Sequence, residues 1–279
     1  MSQVHTVILF LRSNVDWSKL NEGNFLEQNT LCPAAYPTTA KQRELLLSGI
    51  RVWNSVFGMS YFYYRQRLRE ISNRNWCRLR NLDLVLTNHN HYQSLLDWSE
   101  AYVVPVDEDD WFRPDFADLL RSVPAADVDI VRWKDAAFRP IPQLSDQDDL
   151  RGTRPRIRLR ASPEGVPTNS YAVSTRLLAR LPLDVGKSCL MKHWEVDRYI
   201  VAHSASVHSI PEYVGVTHKS LASWTNIKSV RSTDFLLEQM DRLTLQTHSF
   251  PNEVAWAQEY VSLSEELNQH LYASRRQPR

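Results

Sequence analysis

The chain has 279 residues, of which 43% are hydrophobic and 23% are charged, a composition typical of a soluble globular protein. Its formal net charge of +1 favours neither a nucleic-acid partner nor a strongly acidic one. The three cysteines, Cys32, Cys77 and Cys189, lie far apart without a C-x-x-C pair, which argues against a disulfide framework and favours a reducing, cytoplasmic compartment.

The first half of the chain alternates strand-like with helix-like segments, as in α/β proteins. The apolar run at residues 5–11 predicts a strand, because it lacks a basic leader and is too short to cross a membrane. No other window approaches that length, so we expect only peripheral membrane contact. The segment from Tyr61 to Ile71 combines aromatic residues with arginines. Because the net charge disfavours a nucleic-acid patch, we expect an amphipathic helix with a solvated basic face. Further helices are predicted at 39–57, 93–98 and 114–123, and further strands at 82–87 and 102–106.

The second half of the chain continues the same alternation. No internal repeat occurs, and none of the seven glycines falls in a dinucleotide-binding or phosphate-loop motif. Dinucleotide-binding folds and P-loop ATPases are therefore disfavoured. Strands are predicted at 129–133, 156–160, 170–174 and 207–216, and helices at 175–181, 194–203, 233–248 and 252–272.

The most informative segment is an apolar run, Tyr102 to Val106, that ends in the acids Asp107, Glu108, Asp109 and Asp110. Adjacent carboxylates repel one another, and ligand crevices of α/β sheets open at the carboxyl ends of strands, so this cluster indicates a bound cation. Oxygen ligands suit Mg2+ or Mn2+. In an extended backbone Asp107 and Asp109 face the same side and converge, with Asp110 helping from the start of a turn. The alternative is an acidic loop in which Asp109 or Asp110 begins the next helix.

Three motifs spread over about residues 102–223 resemble the GT-A type glycosyltransferases, which transfer a sugar from a nucleotide-sugar donor, and bacterial glycosyl and rhamnosyl transferases in particular. The first motif is the acidic run, which has the D-x-D form of that family. The resemblance implies that Asp107 and Asp109 hold Mn2+ or Mg2+ on the donor diphosphate, and that Asp110 and Trp111 also belong to the donor site.

The second motif, around Glu195-Val-Asp197, is similar to the acidic helix start that supplies the catalytic base in inverting members. The family has adjacent acids, whereas Val196 intervenes here, so Asp197 is the first choice of base and Glu195 the second. The alternative is that both acids complement a helix dipole. In the third motif the resemblance implies that His218 completes the metal site or contacts the diphosphate. Lys219 would neutralise the leaving diphosphate, and the alternative for His218 is a structural role.

The predicted fold is a single GT-A-like α/β domain at 1–230, a mainly parallel sheet flanked by helices. C-terminal helices at 231–273 pack on it, and a disordered tail follows at 274–279. The implied activity is metal-dependent, inverting transfer from a nucleotide sugar to a hydroxyl acceptor such as a glycan of a surface polysaccharide, with no nucleic-acid partner. The alternatives are a metal-dependent nucleotidyltransferase and a non-catalytic protein that binds carbohydrate or another partner on the same fold.

Overall fold

The computed structural model describes most of the predicted sheet and several of its helices. The predicted helix at 233–248, the tail at 274–279 and, apart from Val196, the helix at 194–203 lie outside the described residues, as do Glu195, Asp197 and Lys219. The described residues are 6–12, 17–24, 39–79, 84–88, 91–123, 128–138, 157–159, 169–192, 196, 206–218, 222–223, 227–228, 230, 232 and 251–273.

The first long helix shows how local sequence sets the limits of an element. The Thr39 side chain accepts a hydrogen bond from the Gln42 N–H, and the Gln42 side chain caps Thr39 in return, which satisfies two N–H groups at the helix start. Gly58 ends the helix in a left-handed conformation with φ 60°, where a side chain would be strained. None of the described helices is long and apolar enough to cross a membrane. The α-helices are α1 Ala40–Phe57, α2 Tyr61–Leu79, α3 Tyr92–Leu95, α4 Phe116–Ser122, α5 Thr175–Arg180, α6 Leu183–Met191 and α7 Gln258–Ala273, with 3-10 turns at Trp17–Lys19 and Asn252–Ala257.

One mixed sheet organises the molecule, so the predicted α/β class is confirmed. Its order is β2-β1-β3-β7-β5-β8-β4, with β6 paired to β5. Among the described strands, β1, β2, β3, β5 and β8 run in one direction, while β4, β6 and β7 run against them. The strands are β1 Thr6–Leu11, β2 Leu84–Asn88, β3 Ala101–Val106, β4 Trp111–Phe112, β5 Ile130–Phe138, β6 Ile157–Leu159, β7 Tyr171–Ser174 and β8 Val207–His218.

Helices cover both faces of the central strands, which explains why β1 and β3 are apolar at nearly every position. Successive residues of β1 point to opposite faces, so Val7 and Leu9 pack in a cluster with α4, whereas Ile8 and Phe10 pack in a cluster with α3, α5 and α6. A third apolar cluster packs α1, α2 and α7 against the carboxyl-terminal ends of β5 and β8. The C-terminal helix therefore shares a core with the N-terminal helices, next to the acidic run.

Candidate functional site

The order of the first three strands indicates where a ligand-binding crevice would lie in this sheet. From β1 the chain passes to β2 on one side, and then crosses to β3 on the other side of β1. Such a reversal is where open α/β sheets bind ligands, beyond the carboxyl ends of the strands. The residues that follow β1 and β3 at this point are Arg12 and Asp107, and the Arg12 N–H donates to the Val106 carbonyl at 3.0 Å.

Arg12 and Asp107 place opposite charges side by side at this position. The Arg12 Nε lies 3.6 Å from the Asp107 Oδ1. The Arg12 side chain is buried, whereas 36% of the Asp107 side chain is exposed. The Arg12–Asp107 pair thus presents a partly accessible carboxylate beside a guanidinium that is shielded from water.

The residues after Asp107 form a turn, not an extended strand. The Asp110 N–H donates to the Asp107 carbonyl at 3.2 Å, and the Asp110 carboxylate accepts the Asp107 N–H at 2.6 Å. Asp110 therefore closes the turn. The extended backbone that would align Asp107 with Asp109 was a wrong expectation, because these two hydrogen bonds reverse the chain direction.

Arg65 of α2 compensates the next two acids. Its guanidinium donates to the Asp109 Oδ2 at 2.8 Å and also to the Glu108 carboxylate, and all three side chains are buried. Burial alone would lower the pKa of Arg65, but the negative charges of Asp109 and Glu108 outweigh this and hold that pKa well above its usual range. The prediction of a solvated basic face is wrong for Arg65, which is only 3% exposed.

The sequence did contain a signal for the burial of Arg65. Tyr61, Tyr64 and Leu68 lie four, one and three residues away from it, and all three are buried. Arg65 therefore belongs to the apolar stripe of α2, since helix residues three and four apart share a face. Arg67 lies on the opposite side and pairs with Glu70 near the surface, as the prediction expected.

Tyr260 of α7 connects Asp109 to His218. The Tyr260 hydroxyl donates to the Asp109 carbonyl at 2.9 Å and lies 3.0 Å from the His218 Nδ1. With the hydroxyl hydrogen donated to the Asp109 carbonyl, the contact with His218 is a hydrogen bond in the tautomer that carries its hydrogen on Nδ1. Burial raises the pKa of Tyr260 well above its usual range, and the charge of Asp109 adds to this. We call Arg65, Glu108, Asp109, Tyr260 and His218 the Arg65 network.

Trp111 packs against the Arg65 network. It is buried and stacks on Tyr260, with ring centroids 5.1 Å apart. Its ring packs against a protein side chain in the interior, and the expected role of Trp111 in the donor site stays a prediction. Tyr260 itself was missed at the sequence level, since nothing in its local pattern distinguishes it from an ordinary core tyrosine.

The arrangement of the described acids suits a cation that is bound through a single carboxylate, that of Asp107. Asp107 is partly exposed at the crevice, whereas Asp109 accepts from Arg65 and Asp110 closes the turn. In the part of the chain that the structure describes, no three His, Cys, Asp or Glu side chains are grouped as metal ligands. Mg2+ is often bound by one or two carboxylates together with the phosphates of a substrate. Asp107 fits that arrangement, but the structure does not bring the predicted ligands Asp107, Asp109 and His218 together as a set.

Comparison with known proteins adds no assignment. No protein-family model matches the chain, and a search of curated proteins found no match either. Any proposal about function therefore depends on the motifs of the chain and on the arrangement of its own side chains.

Proposed function

We propose that this protein is a glycosyltransferase that moves a sugar from a nucleotide-sugar donor to a hydroxyl group of an acceptor such as a glycan. The observation that carries the proposal is the Arg12–Asp107 pair at the point where the strand order reverses, which is the usual position of nucleotide ligands in α/β sheets. The resemblance of the acidic run and the two later motifs to GT-A type enzymes supports the same reading.

The two charges of the pair have complementary roles in donor binding. The buried Arg12 guanidinium places a positive charge beside the crevice, which would favour the negative charge of a diphosphate. The Asp107 carboxylate would hold Mn2+ or Mg2+ together with the diphosphate of the donor. A divalent cation bound there would stabilise the negative charge that develops on the leaving diphosphate. The Arg65 network fixes the turn that carries Asp107, so we assign Asp109 and His218 to positioning.

The acceptor half of the site is proposed from the sequence motifs alone. Asp197, or in second place Glu195, would accept the proton of the acceptor hydroxyl as it attacks the anomeric carbon, and this predicts inversion. Lys219 would neutralise the leaving diphosphate. Comparing Asp197→Asn with Glu195→Gln identifies the base, since only the variant that lacks the base should lose turnover while keeping donor affinity.

Nucleotide binding tests the donor half of the proposal. Isothermal titration with UDP, GDP and dTDP, with and without Mn2+, should show a nucleotide whose binding is tightened by the cation. Asp107→Asn should weaken the Mn2+-supported affinity by roughly ten- to a hundredfold, as expected for losing about 1.5–3 kcal/mol of a charged contact. Asp118→Asn is the matched control, because Asp118 lies on α4 with 63% of its side chain exposed. Failure of all three nucleotides to bind, or an unchanged affinity in Asp107→Asn, would refute the donor site.

Product analysis separates glycosyl transfer from its rivals. A glycosyltransferase releases a nucleoside mono- or diphosphate from a nucleotide sugar, whereas a nucleotidyltransferase releases pyrophosphate from a nucleoside triphosphate. A protein that only binds carbohydrate releases neither. Slow, cation-dependent release of nucleotide from a nucleotide sugar is therefore the expected result.

A further inference from the structure

Tyr260, near the start of α7, is hydrogen-bonded to the peptide group that closes the acidic turn. Its hydroxyl donates to the Asp109 carbonyl at 2.9 Å. The N–H of the same peptide group belongs to Asp110 and donates to the Asp107 carbonyl at 3.2 Å. Because a trans peptide group is planar and its C=O and N–H point in opposite directions, the two hydrogen bonds hold one plane from both sides. A shift of the Tyr260 hydroxyl would therefore tilt the N–H that the Asp107 carbonyl accepts.

The second backbone group of Asp107 is also bonded to Asp110. The Asp107 N–H donates to the Asp110 carboxylate at 2.6 Å. The backbone of Asp107 thus depends on the position of Asp110, whose own N–H lies on the peptide group that Tyr260 holds. Hydrogen bonds in such a chain polarise one another, so each member strengthens the next. Tyr260 is therefore connected to the proposed cation ligand through consecutive short contacts.

Other contacts attach α7 to the N-terminal helices. The buried Tyr64 of α2 donates from its hydroxyl to the Asn268 Oδ1 at 3.0 Å, and Arg78 pairs with Glu259 nearer the surface. Neither of these two contacts involves the acidic turn, whereas the hydrogen bond of Tyr260 does. The Tyr260 hydroxyl thus links the position of the C-terminal helix to the geometry of the turn.

From this geometry we infer that Tyr260 is a positioning residue, which couples the docking of α7 to the binding of the donor's cation and diphosphate at Asp107. The inference rests on the proposed function and deepens it, because it makes the C-terminal helix part of the control of that site. With α7 docked, the turn presents the Asp107 side chain at the crevice with 36% of its surface exposed. Coupling between two sites is reciprocal in free energy, so a bound cation and nucleotide should in return stabilise the docked helix.

The hydroxyl can be removed without removing the ring. Tyr260→Phe retains the ring that stacks on Trp111 and meets Phe138 edge-on. Tyr64→Phe is the matched control, since it deletes another buried hydroxyl whose hydrogen bond to Asn268 links α2 to α7. Because each variant loses a buried hydroxyl between the same helices, we expect similar decreases in Tm.

Isothermal titration with UDP, GDP and dTDP, each with and without Mn2+, measures the effect on donor binding. Tyr260→Phe should weaken the Mn2+-supported affinity roughly three- to tenfold, as expected for one lost hydrogen bond, and should leave the affinity without Mn2+ unchanged. Tyr64→Phe should bind like the wild type. In an Asp107→Asn background, Tyr260→Phe should cause no further loss, because its effect passes through the Asp107 carboxylate.

Amide hydrogen exchange tests the coupling in both directions. Without ligand, the Asp110 amide should exchange faster in Tyr260→Phe than in the wild type or in Tyr64→Phe, because its hydrogen bond to the Asp107 carbonyl is loosened. Mn2+ and the nucleotide together should slow exchange along α7 in the wild type, and should do so less in Tyr260→Phe.

The possible outcomes separate this inference from the proposed function. Equal Mn2+-supported affinities in Tyr260→Phe and the wild type would overturn the inference while leaving the proposed function intact. An equal loss of affinity in Tyr260→Phe and Tyr64→Phe would also overturn it, because the cause would then be loosened helix packing in general. Unchanged exchange at Asp110 would contradict it whether or not a nucleotide binds. Absence of nucleotide binding in the wild type would refute the proposed function, and the inference with it.

Discussion

Replacing Arg65 with methionine should strongly destabilise the protein, because the change leaves two buried carboxylates without their counter-ion. Arg65, Glu108 and Asp109 each have less than a tenth of their side chain exposed. Removing one partner from a buried ion pair typically reduces the free energy of unfolding by about 3–5 kcal/mol, since the remaining charge stays desolvated. At about 2–4 °C per kcal/mol, the expected fall in Tm is roughly 6–20 °C.

Urea denaturation followed by far-UV circular dichroism would measure this effect, with equal m-values for wild type and variant as the sign that only stability changed. Arg67→Met is the matched control on the same helix. The Arg67 side chain is 47% exposed and pairs with Glu70, so its loss should change the stability by about 0.5 kcal/mol or less.

Removing the two acids as well should reverse much of the loss. The triple variant Arg65→Met, Glu108→Gln and Asp109→Asn no longer buries uncompensated charge, so it should be clearly more stable than Arg65→Met alone. If Arg65→Met and Arg67→Met unfold at the same urea concentration, then Arg65 does not compensate buried charge and the reasoning about the acidic turn is refuted.

Two further predictions concern packing and alkaline stability. Gly49→Ala should destabilise the protein by about 1–3 kcal/mol in urea denaturation, because the new Cβ would lie 2.0 Å from the Ile227 carbonyl oxygen. An unchanged urea midpoint would contradict the close approach of α1 to the Ile227 backbone. Burial raises the pKa of Tyr102 to about 12 and raises the pKa of Tyr260 well above its usual range. Their folded-state pKa values exceed the unfolded value of about 10, so the stability they contribute is fully present below about pH 10 and is lost as the pH rises towards 12. Tyrosinate absorbance and loss of circular dichroism should then appear together on alkaline titration, whereas ionisation of all tyrosines without unfolding would show that these side chains are accessible.

Local pattern was enough to predict the elements whose limits depend on their own residues. The helix predicted to begin at Thr39 does so because Thr39 and Gln42 cap each other, and it stops at Gly58 because glycine tolerates the left-handed conformation. The strands on either side of the proposed crevice were recognisable as apolar runs, since both of their faces are covered. The location of Asp107 directly after β3 was predicted in the same way, whereas its role as a cation ligand stays a prediction.

Elements that depend on distant neighbours were predicted incompletely. The helix α6, Leu183–Met191, was not predicted, and its Gly186 packs closely against the Tyr92 hydroxyl. The strand predicted to end at Trp133 continues to Phe138, past register shifts at Lys134. Polar residues at 134 and 135 resemble the end of a strand, but the adjoining β8 pairs with them and Asp135 is buried in the sheet.

The sequence by itself determined where charge accumulates, at the acids that end β3, because an apolar run followed by carboxylates is a local pattern. Only the tertiary structure decided what each acid does. The partners of Asp109 are Arg65, 44 residues before it, and Tyr260, 151 residues after it. Compensation of a buried charge depends on distance in space, which the packing of α2 and α7 on the sheet establishes and no spacing along the chain records.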